Sequence, residues 1–356
     1  MRLGCKTVRG GGNIIGMLRK QCIHVLDDII SQENLLDAWR EFIKGKRNKV
    51  DVQKFQYSLL DNIKELHSDL KNDTYAHSLY HEFKISDPKP RIIHKASVRD
   101  RLLHHAIHRI LYQSFKDVFI EDSYSCQIDK GTHKAIEKFK KYADIVGCNN
   151  TKTVWILKCD IRKFFASIDQ KILIEILDEY ISDKCITNLL KIIIQGFTSG
   201  EENRGLPLGN LTSQLLVNIY MNEFDQYVKS ILKIEYYIRY ADDFVFVSTS
   251  KPELECILKD IHIFLNEKLK LRLHPNKVFI KTLFSGVDFL GWVHFPKHKI
   301  LRTTTKKRMF KNLKNKPDNN TYQSYKSMIK HGNTHKVQNR IDKDLLFTGI
   351  DREDIR

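Results

Sequence analysis

The feature that most constrains the fold is the run "YIRYADDFVFV", residues 237–247, which sets two adjacent aspartates among apolar, β-branched and aromatic neighbours. The flanks favour strand and Ala-Asp-Asp favours a tight turn, so the run reads as a β-hairpin with Asp242 and Asp243 at its tip. Adjacent carboxylates repel, and burying them without a counter-charge is very costly, so the arrangement calls for a cation over the tip. A hard, oxygen-seeking divalent ion suits it. Magnesium takes one or two protein carboxylates and completes its shell with water and substrate phosphates.

A third carboxylate is at hand in "VWILKCDIRKFFASID", where Asp160 ends an apolar run read as a buried strand. A strand ending in Asp beside a hairpin tipped with Asp-Asp can gather three carboxylates. Such a cluster suits two magnesium ions about 3.5–4 Å apart, one activating an attacking hydroxyl and one stabilising a leaving group. Each aspartate taken singly reads better as a structural cap or turn residue; their joint placement among basic segments favours catalysis.

Composition narrows the partner. The 356 residues carry a formal net charge of +17 with 42% hydrophobic residues, so the chain can bury a core and still present a basic surface, which calls for a polyanion. The seven cysteines, at 5, 22, 126, 148, 159, 185 and 256, show neither Cys-x-x-Cys pairing nor a zinc pattern and read as reduced thiols. The apolar stretch "LLKIIIQGF" is interrupted by Lys191 and Gln195, and "MRLGCKTVRGGGNIIG" has no signal-peptide core, so the expectation is a cytoplasmic protein without a membrane span.

Along the chain, "NIIGMLRKQCIHVLDDIISQENLLDAWREF" and "DVQKFQYSLLDNIKELHSDLKN" carry helical periodicity and flank the basic turn "KGKRNKV". "HEFKISDPKPRIIHKAS" alternates around two prolines and reads as a strand pair; "VRDRLLHHAIHRILYQSF" has a helical stripe from Leu102 to Leu111. Strands and helices then alternate through "TVWILKCDI", "LTSQLLVNIYMNEFDQYVK", the aspartate hairpin and "PELECILKDIHIFLNEKL". From Lys297 the tail is basic and mostly helical.

"LKCDIRKFFASID", "GLPLGNLTSQLLVNIYMNEFD", "YIRYADDF" and "FLGW", in that order, resemble the successive motifs of reverse transcriptases, Tyr-Ala-Asp-Asp matching that family's signature. The resemblance covers roughly residues 80–300. It implies an α+β right-hand polymerase: an N-terminal helical region (1–75), fingers (76–150), a palm of antiparallel sheet and helices (151–296) and a basic helical thumb (297–356). It also implies RNA-directed DNA polymerisation with two Mg2+ ions, for which Mn2+ can substitute. Asp160 and Asp242 would ligate both ions, Asp243 would support them, and the Ile161 carbonyl would add an oxygen.

Further positions follow from the same resemblance. Phe165 matches the aromatic gate that excludes a ribose 2′-hydroxyl, with core packing as the alternative for either Phe164 or Phe165. Arg91 matches the triphosphate-binding arginine, its fork suited to phosphate oxygens, with Lys89 as companion. Lys277 resembles the lysine that protonates departing pyrophosphate, and Phe289, Leu290, Gly291 and Trp292 resemble the grip on the primer end. Arg99, Arg101, Ser213, Gln214 and Tyr240 are assigned to template and primer, and Leu208 and Gly209 to the nucleotide. His104, His105 and His108 read as surface or core histidines.

Departures from the wider family select a subtype. The length reads as a minimal enzyme without maturase, endonuclease or ribonuclease H regions. "LPLGNLTSQ" stands where many relatives have Pro-Gln-Gly and Ser-Pro, and with "KGTHKAI" and "SYKSMIKHGNTHK" it resembles the diversity-generating retroelement enzymes, related to group II intron-like bacterial ones. That implies error-rich copying of a dedicated, structured noncoding RNA from a DNA or RNA primer and dNTPs, with a small basic accessory protein. Two alternatives stand: a defence-associated reverse transcriptase that makes DNA from a bound noncoding RNA, and a catalytically silent RNA-binding protein on the same scaffold.

Overall fold

A computed structural model describes residues 25–86, 90–315 and 319–346. The chain opens with α1 (Leu26–Ile30), α2 (Gln32–Phe42), α3 (Val50–Tyr57) and α4 (Leu59–Lys71). Each of the two long helices read from the sequence is broken at a serine. Ser31 takes an extended conformation and its side chain accepts from the Asn34 amide at 3.2 Å, capping α2. Ser58 leaves the helical region between α3 and α4, and Asn62 Nδ2 donates across the break to the Phe55 carbonyl at 2.9 Å. Apolar periodicity runs unbroken past both serines, so it did not reveal the breaks.

The proline-flanked segment forms the antiparallel pair β1 (His81–Ile85) and β2 (Arg91–Lys95), in register His81↔Lys95 to Ile85↔Arg91. Ser97 caps α5 (Val98–Phe115), which buries Leu102, Leu103, Ala106, Ile107 and Leu111 as the stripe required. Its buried Asp100 accepts from Tyr75 Oη at 2.7 Å and Ser97 Oγ at 2.6 Å, which answers a carboxylate removed from water. After α6 (Thr132–Val146) come β3 (Trp155–Asp160), α7 (Phe164–Ser167), α8 (Gln170–Tyr180), α9 (Lys184–Gln195) and α10 (Leu211–Gln226). Helix α10 is buried on nearly every face.

The aspartate run is the expected hairpin, β4 (Tyr237–Tyr240) and β5 (Asp243–Ser248), followed by α11 (Lys251–Lys268) and β6 (Phe279–Thr282). These strands make a four-stranded sheet in the order β4-β5-β3-β6, with β3 and β6 antiparallel in register Trp155↔Thr282 to Lys158↔Phe279. "FLGW" becomes a second hairpin, β7 (Val287–Phe289) and β8 (Trp292–His294), joined by β9 (Lys299–Leu301) in a three-stranded sheet. The tail continues as α12 (Thr303–Asn315), α13 (Asn319–Ile329) and α14 (His335–Leu346).

Packing divides the chain into two compact units. Among the described residues, one comprises those from 25 to Gly131 with Cys159–Phe244 and Cys256–Val278; the other comprises Thr132–Lys158, Val245–Glu255 and those from Phe279 to 346. The second has its own core, in which Trp292 and Leu301 meet Met309, Tyr322, Ile329 and Val337. The strand pairing β8–β9, Trp292↔Leu301 to His294↔Lys299, places the start of the basic tail in that sheet.

Candidate active site

Strand β3 carries Asp160 at its C-terminal end, and there the chain is fixed on both sides. The Asp160 carbonyl accepts from the His274 amide at 2.7 Å, and the Ile161 amide donates to the Asp242 carbonyl at 3.1 Å. The hairpin tip is therefore tied by its backbone to the strand end. Ala241, at φ 55°, makes the left-handed turn that lets β4 run into β5. Lys277 Nζ spans both oxygens of Asp160, at 2.8 and 3.0 Å. Burial, and next the Asp160 carboxylate, push the Asp242 carboxyl above its usual range, with Lys277 and Arg91 opposing.

The structure thus unites Asp160, Asp242 and Lys277 with Arg91 in their field. It modifies one expectation: among the described residues no group of three or more His, Cys, Asp or Glu side chains is placed to hold a metal ion. Asp242 lies in the turn and Asp243 is the first residue of β5. The donor set still fits a hard divalent ion. Two carboxylates of separate elements raise each other's charge cost, and oxygen donors are what such an ion takes. Asp160 and Asp242 would hold it, beside the Ile161 carbonyl.

Other sequence-assigned residues fall into two groups. Phe164 is core, whereas Phe165 of α7 is half-buried, and its carbonyl accepts from the Leu206 amide at 2.9 Å. Leu208 is half-buried and its carbonyl accepts from the His94 amide of β2 at 3.1 Å. Gly209 has φ 113°, and a Cβ there would lie 2.9 Å from Ile93 Cγ2, so only glycine lets this segment close on β2. Arg91 opens β2 at the surface, Tyr240 closes β4 half-exposed, and Gln214 is half-exposed.

A second group is engaged by the protein itself. Arg99 is bound to Asp69, and Arg101 to Asp51 at 2.7 Å, so both guanidinium groups brace α5 against the N-terminal helices. Ser213 is 1% exposed within α10, and Phe289 and Trp292 are 0% and 3% exposed, so these side chains are packed inside the protein. Of the "FLGW" motif, the half-exposed turn Leu290-Gly291 is what the surface presents. Lys89 lies outside the described residues. His104 is core, held neutral by burial that lowers it to about 3.

Sequence reasoning missed the support beneath the hairpin. Arg239 of β4 and Asp225 of α10 are both 0% exposed and form a forked pair, Nε–Oδ1 2.8 Å and Nη2–Oδ2 2.6 Å. Tyr237 Oη donates to Asp225 at 2.8 Å, Arg239 Nη2 to Ser123 Oγ at 3.0 Å, and Nη1 to the Ala241 carbonyl at 3.2 Å. Burial alone would lower the Arg239 guanidinium, but Asp225 more than offsets it and the group stays charged. The signal was an arginine on the strand leading to the tip, where its neighbours are apolar.

An antiparallel sheet with carboxylates at a strand end and an adjoining hairpin tip is the palm architecture of right-hand polymerases. Within that class the family is specific: the model for "Reverse transcriptase (RNA-dependent DNA polymerase)" matches residues 84–294, and the chain belongs to that family. Protein YkfC of Escherichia coli (strain K12) is 28% identical over 256 residues, 61% of this chain and 65% of that one. The group II intron-encoded protein LtrA of Lactococcus lactis subsp. cremoris is 23% identical over 302 residues, 65% of this chain and 49% of LtrA. A putative COX1/OXI3 intron 2 protein of Saccharomyces cerevisiae is 24% identical over 255 residues, 54% of this chain and 29% of that protein. The chain therefore spans between 29% and 65% of these relatives' lengths. The solved structure of apo telomerase from Candida tropicalis, truncated from the C-terminal domain, aligns with TM-score 0.48 at 12% identity, covering 68% of this chain and 60% of that one. No described helix is long and apolar enough to cross a membrane.

Proposed function

We propose that the protein is an RNA-directed DNA polymerase that copies a dedicated RNA into cDNA from a DNA or RNA primer and dNTPs. The observation that carries this reading is the convergence of Asp160, Asp242 and Lys277 at one end of the sheet, with Lys277 2.8 Å from Asp160. Two bound Mg2+ ions, or Mn2+ in their place, would supply Lewis-acid stabilisation to the phosphate oxygens. Arg91 would bind the triphosphate through its fork, and Phe165 would exclude the 2′-hydroxyl. Lys277, an ammonium held at the Asp160 carboxylate, would give its proton to the departing pyrophosphate.

The subtype inferred is that of the diversity-generating retroelements, acting in the cytoplasm on a structured noncoding RNA with a small basic accessory protein. Leu208 supports it: its side chain has neither donor nor acceptor where a glutamine amide would hydrogen-bond near the incoming nucleotide. Template adenines are then the weak point of copying. The net charge of +17 supports the nucleic-acid partner.

The test is primer extension on RNA with magnesium, beside sequencing of the RNA and DNA that copurify with the protein. Asp242→Asn removes a ligand without changing side-chain size and abolishes extension while leaving RNA binding within a few-fold. Normal extension by a homogeneous preparation of the Asp242→Asn protein removes the carboxylate assignment, and absence of any template-dependent product from the unsubstituted protein removes the activity.

A further inference from the structure

Away from the carboxylates, the second compact unit carries a half-open cavity of about 480 Å³. None of Asp160, Asp242 and Lys277 lines it. Helix α6 presents Ile136, Phe139, Lys140 and Ala143 to it, spaced i, i+3, i+4 and i+7 along one face, with the exposed Glu137 at its edge. Facing them are His294, the turn Phe295–Lys299 and the Gly332-Asn333 loop.

The lining has a distinct chemistry. Its depth is apolar and aromatic: Phe139 and His294 meet edge to face, 4.9 Å between centroids at 70°, and burial holds His294 neutral at about 4. At the turn, the Phe295 and His298 rings stack at 4.8 Å and 13°, with the Phe295 amide donating to the His298 carbonyl at 2.9 Å. The loop opposite is pinned. The Asn333 amide donates to the Lys299 carbonyl at 2.9 Å, and Gly332 lies so close to Trp292 that a Cβ would sit 2.1 Å from the indole. Asn333 thus brings a side chain with both a donor and an acceptor to the cavity wall.

Charge at the mouth is positive but modest. Lys140 is ion-paired with Asp144, and Glu137 acts on Lys299. Lys297 is exposed and has no ion-pair partner among the described residues. The balance suits one negative charge.

We propose that this cavity binds a single nucleotide, with the planar base in the apolar slot between α6 and the turn and the phosphate on Lys297. A flat ring system with polar edges matches stacking rings and one amide, and a lone phosphate matches one free ammonium. A volume of 480 Å³ falls within the range of small-molecule sites and suits a mononucleotide. The nucleotide is an unstacked member of a bound single strand or a free nucleoside monophosphate, which share this chemistry. The inference does not rest on polymerase activity.

The experiment uses the full chain in EDTA with two photoprobes, 4-thiouridine monophosphate and a short single-stranded RNA carrying one 4-thiouridine. Crosslinked peptides are mapped by mass spectrometry. Saturable labelling of the segment that contains Phe295 and His298 is expected. Labelling by both probes identifies a site that accepts free nucleotide, and labelling by the RNA alone identifies a strand nucleotide. Lys297→Ala, at an exposed position, raises the half-saturation concentration about tenfold, the loss of one charge-assisted hydrogen bond. Ala143→Phe, which fills the slot, removes labelling with the melting temperature checked alongside. The proposal is overturned if neither probe labels this segment, or if Lys297→Ala leaves labelling unchanged. Primer extension by the same preparation is read separately, so failure here is distinct from failure of the polymerase reading.

Discussion

Removing Arg239 tests whether the active hairpin is held from below by a buried charge pair. Arg239→Met leaves the Asp225 carboxylate at 0% exposure with only Tyr237 Oη, at 2.8 Å, as an identified donor. Stripping one partner from a buried pair costs about 3–5 kcal/mol, because the remaining charge is neither solvated nor answered. At about 2–4 °C per kcal/mol for a domain of this size class, melting falls by roughly 6–20 °C. Asp225→Leu strands the guanidinium instead and produces a loss of similar size. Joining the two as Asp225→Leu with Arg239→Met removes both charges, so it costs less than the sum of the singles by about 3 kcal/mol. Urea unfolding of the four proteins gives that coupling. Function responds as well, since Arg239 Nη1 donates to the Ala241 carbonyl next to Asp242. Turnover should fall more than nucleotide KM rises in any variant that still folds. Single variants that lose under about 1 kcal/mol, or losses that simply add, would refute the account of the pair.

Three further outcomes follow from the site and its surroundings. Phe165→Ala opens space beside the sugar and raises the ratio of rNTP to dNTP incorporation about tenfold; an unchanged ratio makes the ring a packing residue. Leu208→Gln restores an amide worth about 0.5–1.5 kcal/mol and lowers misincorporation by up to about tenfold. Deep sequencing of cDNA from both forms on one template checks it, and equal error rates at every base remove Leu208 from fidelity. Acid weakens the fold through histidines held neutral by burial, His104 at about 3 and His294 at about 4. These values lie below the unfolded value near 6.5, so the stabilisation is present above about pH 6.5 and drains as pH falls. Each imidazole costs about 1.4 kcal/mol by about pH 5.5. Urea midpoints flat from about pH 7 to 5.5 would contradict this.

What the sequence determined by itself was local and chemical. Strand propensity around Ala-Asp-Asp fixed the hairpin, an apolar run ending in Asp160 fixed the strand that meets it, and proline spacing fixed the β1–β2 pair. These depend on residues close in the chain, which is why they are legible there. Tertiary structure decided which long-range partners those elements received. Periodicity does not register a serine cap, so the breaks at Ser31 and Ser58 went unread. Charge type does not say whether a side chain meets water or a carboxylate from elsewhere, and so Arg99 and Arg101, assigned to nucleic acid, are bound to Asp69 and Asp51. The same blindness hid Arg239. Its partner Asp225 lies on another element, and only the packing of α10 against β4 turns a charged residue in an apolar strand from a cost into the fixture beneath Asp242.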